Sequence, residues 1–370
     1  MIKILFDSTI FLHQRIGGIS KYIFKFNKKN SSFKIKSTIF APINKSFILS
    51  KRIKNSIYFF KIKEIPIYCS KFFYLINNLL TIIYIKIYKP DLLHLTYYNN
   101  FLINYIKIPY VLTIYDLIHE KLDKQQHQFK KYKLIQNAAH IICISNQTKK
   151  DLIRYYKVKK SKISVIYLGT DNKTKKINFK KKKIILFVGS RVGYKNFINL
   201  LKAFGKSKFL KNNFKILCFG GEAITIEEKK IINRLNLIEN IFFDNGDDKK
   251  LNTYYKKASL YVSVSLFEGF GLTLLEAMRM GCPVLCSNIP TFREIFNNSC
   301  IFVNPKNIEN IRKKLERVLK SKKEQKKLIQ KGFSTVSKYN WDKCIFETAN
   351  TYKEILNDKK KIDFSSDNKL

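Results

Sequence analysis

The sequence predicts an α/β protein of two domains, each built on a parallel sheet. One observation is a unit that recurs in the second half: an apolar strand, a glycine turn and then a helical segment, at 184–204, 214–222 and 261–280. Another is that apolar runs in the first half, at 109–114 and 141–144, end in polar residues, where open parallel sheets place their sites. The third is a lysine-rich, non-periodic stretch at 171–183 between halves long enough to bury separate cores.

Composition narrows the class. Hydrophobic residues make up 45% of the 370, with 30 Phe and 21 Tyr, which excludes a disordered chain. Lys+Arg 71 against Asp+Glu 27 gives 71 − 27 = +44, a field that attracts polyanions or anionic headgroups. Lys, Ile, Asn, Phe and Tyr are all inflated, so A/T-rich codons account for part of the excess. The seven cysteines (69, 143, 218, 282, 286, 300, 344) show no metal-ligand spacing and mostly sit in apolar runs, as reduced core residues do. The N-terminus MIKILFDSTIF reads as a first strand and not as a signal peptide, and 72–85 is too short to span a bilayer. We therefore expect a cytoplasmic protein, either soluble or peripheral on the inner face of the membrane.

In chain order, 2–6 is a short strand, and Gly17-Gly18 fall in a loop before a helix from about Ser20. Such a pair lets a phosphate approach the backbone, although most glycine pairs are plain loops. Residues 35–41 and 57–60 read as strands. Residues 72–88 place apolar side chains at 72, 76, 79, 80 and 83, a helical stripe expected to face the core, with an interfacial membrane helix as the alternative. Lys89-Pro90-Asp91 ends it. Residues 92–95 form a buried strand in which His94 reads as a satisfied core histidine. The strand 109–114 opens into Tyr115-Asp116-Leu117-Ile118-His119-Glu120. After 141–144, Ser145 reads as the N-cap of a helix over 147–156. A strand at 163–167 leads to Leu168-Gly169-Thr170, so the first domain covers 1–170 and the basic linker 171–183.

The second domain, 184–340, opens with a strand at 184–188, the loop Gly189-Ser190-Arg191-Val192-Gly193-Tyr194-Lys195-Asn196, and a helix over 197–204. Arg grips phosphate oxygens through two N–H groups and Lys adds a point charge, so this loop suits a diphosphate. In so basic a chain the pair also arises by chance. Residues 241–243 form a strand; the loop 244–248 (DNGDD) lacks a calcium loop's spacing and is read as structural. A strand at 261–266 then reaches Glu268-Gly269-Phe270-Gly271, which delivers the chain into a helix over 272–280 whose free amides form an anion site. Glu268 and Glu276 bracket that site. Carboxylates repel phosphate, so they suit the hydroxyls of a sugar and a ribose on either side of a diphosphate. Alone they would read as solvated glutamates; here they come with GFG, AM-x-x-G-x-PV and Ile289-Pro290-Thr291 in order. A strand follows at 283–286. Residues 341–356 read as a helix carrying the only tryptophan, with a frayed end at 358–370.

The stretch 268–284 resembles the pattern E-G-F-G-L-P-x-L-E-A-M-x-x-G-x-P-V of the retaining glycosyltransferases of family 4, with Thr273 in place of the usual proline. The resemblance implies the GT-B fold, two Rossmann-like domains facing across a cleft, with the segment 341–370 packing back on the N-terminal domain. It implies that Glu268 meets the donor sugar, that Glu276 holds the ribose, and that Arg191 and Lys195 bind the diphosphate. Gly269, Phe270, Gly271 and Leu272 complete the donor turn, Gly17-Gly18 lie near the donor phosphates, and 244–248 lies beside the base. Asp116 matches the second residue of a His-Asp pair common in the family. Tyr115 departs from the first, and His119 is a nearby candidate for substrate contact.

The function so implied is transfer of a hexose, mannose being one candidate, from a nucleotide-diphosphate sugar to a lipid-linked or surface-glycan acceptor in polysaccharide or lipopolysaccharide biosynthesis. No metal or other cofactor is expected: Arg191, Lys195 and the amides of 269–272 would carry the leaving-group charge. The charge also suggests docking on an anionic membrane through lysines 21, 25, 28 and 29 together with 72–88. Two rivals are a polyanion-binding protein on a degenerate GT-B scaffold and a GT-B phosphorylase or epimerase. No nucleic-acid recognition motif is present to favour the first.

Overall fold

The computed structural model describes the chain apart from residues 16, 51–54, 64–65, 67–68, 123–125, 172–179 and 368–370, and apart from the side chains of 30–31, 50, 126–130 and 359–367. Most of the expected linker lies outside the described residues. The chain forms two compact units, 1–169 with 341–370, and 170–340.

The first unit holds a seven-stranded parallel sheet in the order β4-β2-β1-β6-β7-β8-β9. Its strands are β1 (Ile2–Phe6), β2 (Ile35–Phe40), β4 (Ser56–Ile57), β6 (Leu92–Leu95), β7 (Tyr110–Ile114), β8 (His140–Cys143) and β9 (Ile163–Val165). A separate two-stranded ribbon pairs β3 (Ile43–Asn44) with β5 (Phe60–Lys61). The single strand expected at 57–60 is thus split between two sheets. The Pro42 carbonyl causes the break by accepting from the amides of both Phe59 and Phe60, at 2.8 and 2.9 Å.

Two helices cover opposite faces of the large sheet, because β1→β2 and β2→β6 run in opposite directions along it and both crossovers are expected to be right-handed. Side-chain alternation on β1 shows the same: Phe6 meets Phe26 of α1 (Gly18–Lys29) edge-on at 5.8 Å, while Leu5 shares a core cluster with Ile85 of α2 (Ser70–Tyr88). Lysines 21, 25, 28 and 29 lie on α1, so they and the 72–88 helix do not form the single docking face expected from sequence. The C-terminal helix Trp341–Asp367 covers α1: Trp341 stacks on Tyr22 at 6.5 Å and Tyr352 meets Phe26 at 5.3 Å. It continues through Asp367, past the point where fraying was expected.

The orientation of α2 also departs from expectation. Of the stripe expected in the core, Phe72, Leu79 and Ile83 are exposed, and Asn77, Asn78 and Thr81 are buried instead. Hydrogen bonding turned the helix. Asn77 accepts from the Ile43 amide (2.9 Å) and donates to the Ile43 carbonyl (2.8 Å), and Asn78 accepts from Asn99 (2.8 Å). His94 is fully buried between the Tyr352 hydroxyl and Thr113, and burial lowers its imidazole to about 3, so it is a neutral core residue.

The second unit holds a six-stranded parallel sheet, β12-β11-β10-β13-β14-β15. The strands are β10 (Lys182–Val188), β11 (Lys215–Phe219), β12 (Ile241–Asp244), β13 (Ala258–Ser263), β14 (Val284–Ser287) and β15 (Ile301–Val303). Phe187, Phe197, Phe204, Leu260, Val262 and Leu285 centre its core. In each unit the strand order reverses beside the first strand, between β1 and β6 and between β10 and β13. Such switch points are where open parallel sheets leave a crevice. All seven cysteines are free and six are buried; burial pushes the Cys218 and Cys282 thiols up to about 12, as befits inert core residues.

Candidate functional site

The second unit's crevice lies at the C-terminal ends of β10 and β13. A cavity of about 200 Å³ opens there, walled by Val188 and Gly189, by Ser263 and Ser265, by Lys195 and Glu268, and by the first turn of α4 (Leu272–Arg279). The helix α3 (Phe197–Gly205) follows the loop that carries Lys195.

Gly271 starts α4. Its φ of +105° suits glycine, and a Cβ would meet the Phe292 and Phe296 rings at 2.9 and 3.0 Å. Leu274, Leu275, Ala277 and Met278 then bury one face, which aims the helix N-terminus and its positive end at the cavity. The Glu268 turn is held from outside: Thr291, from the Ile-Pro-Thr motif, donates to the Glu268 carbonyl at 2.8 Å.

The loops bearing the cation and the carboxylate are tied to each other. The Leu266 amide donates to the Tyr194 carbonyl (2.7 Å), and the Asn196 side chain donates to the carbonyls of Val264 (3.0 Å) and Pro305 (2.7 Å). Lys195 and Glu268 thereby meet: Nζ lies 2.7 Å from Oε1, which also accepts from Ser265 at 2.8 Å. Thr273, the departure from the family proline, accepts at 2.8 Å from the buried Tyr261 hydroxyl, which burial keeps protonated.

Arg191 is placed apart from Lys195. It was expected beside Lys195 on a diphosphate, but it does not line the cavity and is buried. Its Nε donates to Glu228 at 2.8 Å and its terminal nitrogens to the carbonyls of Gly220 (3.2 Å) and Glu222 (2.5 Å), while Phe243 stacks on it. It braces the loop after β10 against the glycine pair after β11. Glu276 sits one turn into α4, half-buried, with the Tyr255 hydroxyl 3.5 Å away, and lies off the cavity wall. Phe270 is buried against Tyr339 and, with Gly269, shapes the turn without lining the cavity.

The other expected residues belong to the first unit. The Gly17 amide donates to the Ser20 hydroxyl at 3.0 Å, and Gly18 begins α1. Asp116 accepts from the Ile118 amide (3.1 Å), His119 is exposed, and Tyr115 is buried. In the loop 244–248, Asp244 is held by Lys250 (2.6 Å) and Tyr254, which keep its carboxyl below the usual range, and Asp247 caps the next helix. Among the described residues no three His, Cys, Asp or Glu side chains gather as a metal-binding group.

Two residues escaped the sequence reading. Asn196 cross-links the loops, a role that its place at the end of the motif G-x-R-x-x-Y-K-N does not reveal. Asp7, fully buried at the first unit's switch point, accepts from Thr96 (N 2.6 Å, Oγ1 2.8 Å), Thr9 and Asn99. The polar run Asp7-Ser8-Thr9 directly after a strand was the available signal.

Residues 169–335 match the family described as Glycosyl transferases group 1, and 16–173 match Glycosyltransferase Family 4. An uncharacterized glycosyltransferase of Methanocaldococcus jannaschii is 27% identical over 275 residues, covering 67% of this chain and 70% of its own length. The O-antigen chain mannosyltransferase RfbU of Salmonella typhimurium is 27% identical over 211 residues, covering 56% of this chain; the match spans 58% of that relative's length. Among solved structures, a sucrose-phosphate synthase from Thermosynechococcus elongatus superposes with a TM-score of 0.78 at 18% identity, over 96% of this chain and 100% of that one. Anabaena HepE, solved with UDP and glucose, gives 0.77 at 15% identity over the same shares.

Proposed function

This chain belongs to the group 1 glycosyltransferases of family 4 and has their GT-B fold, and from that premise we propose that it transfers a hexose, with retention, from a nucleotide-diphosphate sugar to a lipid-linked or surface-glycan acceptor. The O-antigen relatives favour mannose as the sugar and lipopolysaccharide or polysaccharide as the product. A lipid-linked acceptor would be met at the inner face of the cytoplasmic membrane, with this chain as a peripheral protein there.

The observation that carries the donor reading is the Lys195–Glu268 pair beside the start of α4. An anion alone would be repelled by Glu268, and a neutral sugar would leave Lys195 unused. A sugar diphosphate uses both, its phosphates on Lys195 and the α4 amides, its hydroxyls on Glu268. As the bond from the anomeric carbon to the diphosphate breaks, negative charge gathers where the cation and helix dipole already point. The acceptor oxygen forms the new bond and its proton leaves toward the departing diphosphate. We propose that no metal is needed for this step.

Thermal-shift measurement with UDP, GDP and ADP tests the donor site. One of them should stabilise the chain, and transfer should persist in EDTA. Stabilisation by duplex DNA but by no nucleotide would overturn the enzyme reading. Glu276→Ala should raise donor KM roughly 5- to 150-fold, the loss of a charged hydrogen bond to ribose of about 1–3 kcal/mol. Its melting temperature should stay near that of the parent, and unchanged donor kinetics would place Glu276 on the helix surface only.

A further inference from the structure

Helix α2 is built inside out. Its buried side chains include Asn77, Asn78 and Thr81, while Phe72, Leu75, Leu79, Ile83 and Ile87 are 61, 43, 48, 54 and 75% exposed. These five fall at helical spacing on one stripe, roughly 22 Å long at the rise of an α-helix. Single exposed leucines are ordinary on a protein surface, but a continuous apolar stripe marks a contact. Rotation cannot hide it, because Asn77 and Asn78 are committed on the other side. The ribbon that Asn77 clasps adds exposed Phe59 and Phe60, with Lys61 beside them. Phe59 meets Phe40, which in turn stacks on Tyr84 of α2 at 4.3 Å.

We propose that this face docks the chain on an anionic lipid bilayer. Charge selects the occupant. Helix α2 contains no carboxylate, and exposed Lys71, Lys86 and Lys89 flank its stripe. Residues 1–115 hold three acidic side chains, Asp7, Glu64 and Asp91, and Asp7 is fully buried. A second copy on this face would oppose two chains of +44, whereas anionic headgroups supply the countercharge and the acyl boundary takes the apolar side chains. No helix among the described residues is long and apolar enough to cross a membrane, so α2 lies along the surface. The purpose of docking rests on the acceptor being lipid-linked; the contact itself does not.

The test is sedimentation of the full chain with phosphatidylcholine vesicles, with and without phosphatidylglycerol. The chain should pellet only with the anionic vesicles, and less as salt rises. Leu79→Ser with Ile83→Ser should cut partitioning about tenfold or more by removing buried methylenes from the lipid contact. Both sites are exposed, so its melting temperature should match the parent's. Lys28→Gln, on the opposite face of the sheet, should bind as the parent does. Docking is overturned if the parent stays in the supernatant at low salt, or if the double variant pellets as well as the parent. It is overturned equally if the parent is a dimer that the double variant splits, which would assign the face to a second copy. Nucleotide thermal shift on the same samples separates the two proposals: a chain that pellets but answers to no nucleotide keeps the docking face and loses the donor reading.

Discussion

Arg191→Ala should unfold at a markedly lower temperature than the parent chain and lose activity with it. The guanidinium is buried against Glu228, which is itself 2% exposed and reaches back to the Thr225 amide at 2.7 Å in the capping box of the helix Ile226–Arg234. Removing one partner of a buried pair strands the other, at a cost of about 3–5 kcal/mol. Two carbonyls, of Gly220 and Glu222, lose their donors as well. For a unit of this size that is a fall of roughly 6–20 °C in the second unit's transition, readable by calorimetry. Arg191→Lys should recover only part of it, because one ammonium cannot reproduce three diverging N–H bonds. The alternative is a residue that swings onto the diphosphate. It predicts the opposite split, a normal melting temperature with raised donor KM, and that result would sink the bracing role.

This residue also shows where sequence reasoning runs out. The loop 189–196 announced a cationic pair, and the strand–glycine–helix rhythm placed it at a strand tip. What the pair does depends on partners distant in the chain. Lys195 finds Glu268 73 residues away and Arg191 finds Glu228 37 residues away, and nothing local distinguishes the two outcomes. The Glu268–Leu272 turn was legible because its glycine requirement is local: Gly271 needs both a positive φ and an empty Cβ position.

Helix α2 departs from its sequence pattern for a related reason. Periodicity marks a face without saying which side meets the core, and here three polar hydrogen-bond commitments outweighed the apolar stripe. Ile311, Leu315, Val318 and Leu319 form the buried stripe of the helix Ile308–Lys320. Its high charge hid a pattern that was present.

Lys195→Ala should give the largest kinetic defect at the site, with kcat reduced by about 10²–10³, as for loss of one preorganised charge-stabilising donor. The reasoning is differential. Charge on the leaving diphosphate grows toward the transition state, so a cation placed against it contributes more there than in the donor complex. Removing it should therefore lower kcat and kcat/KM together, with a smaller rise in KM. The deletion also leaves Glu268 without its 2.7 Å counter-ion beside a dianionic leaving group. Lys195→Ala combined with Glu268→Gln should then be less impaired in donor binding than Lys195→Ala alone, because the repelling carboxylate has gone too. Stability should barely move: both side chains are partly exposed and solvent already screens the pair. Steady-state kinetics with the donor found by thermal shift would decide it. A variant whose KM rises while kcat holds would show that Lys195 binds donor and transition state alike, and the charge-stabilising role would then pass to the amides at the start of α4.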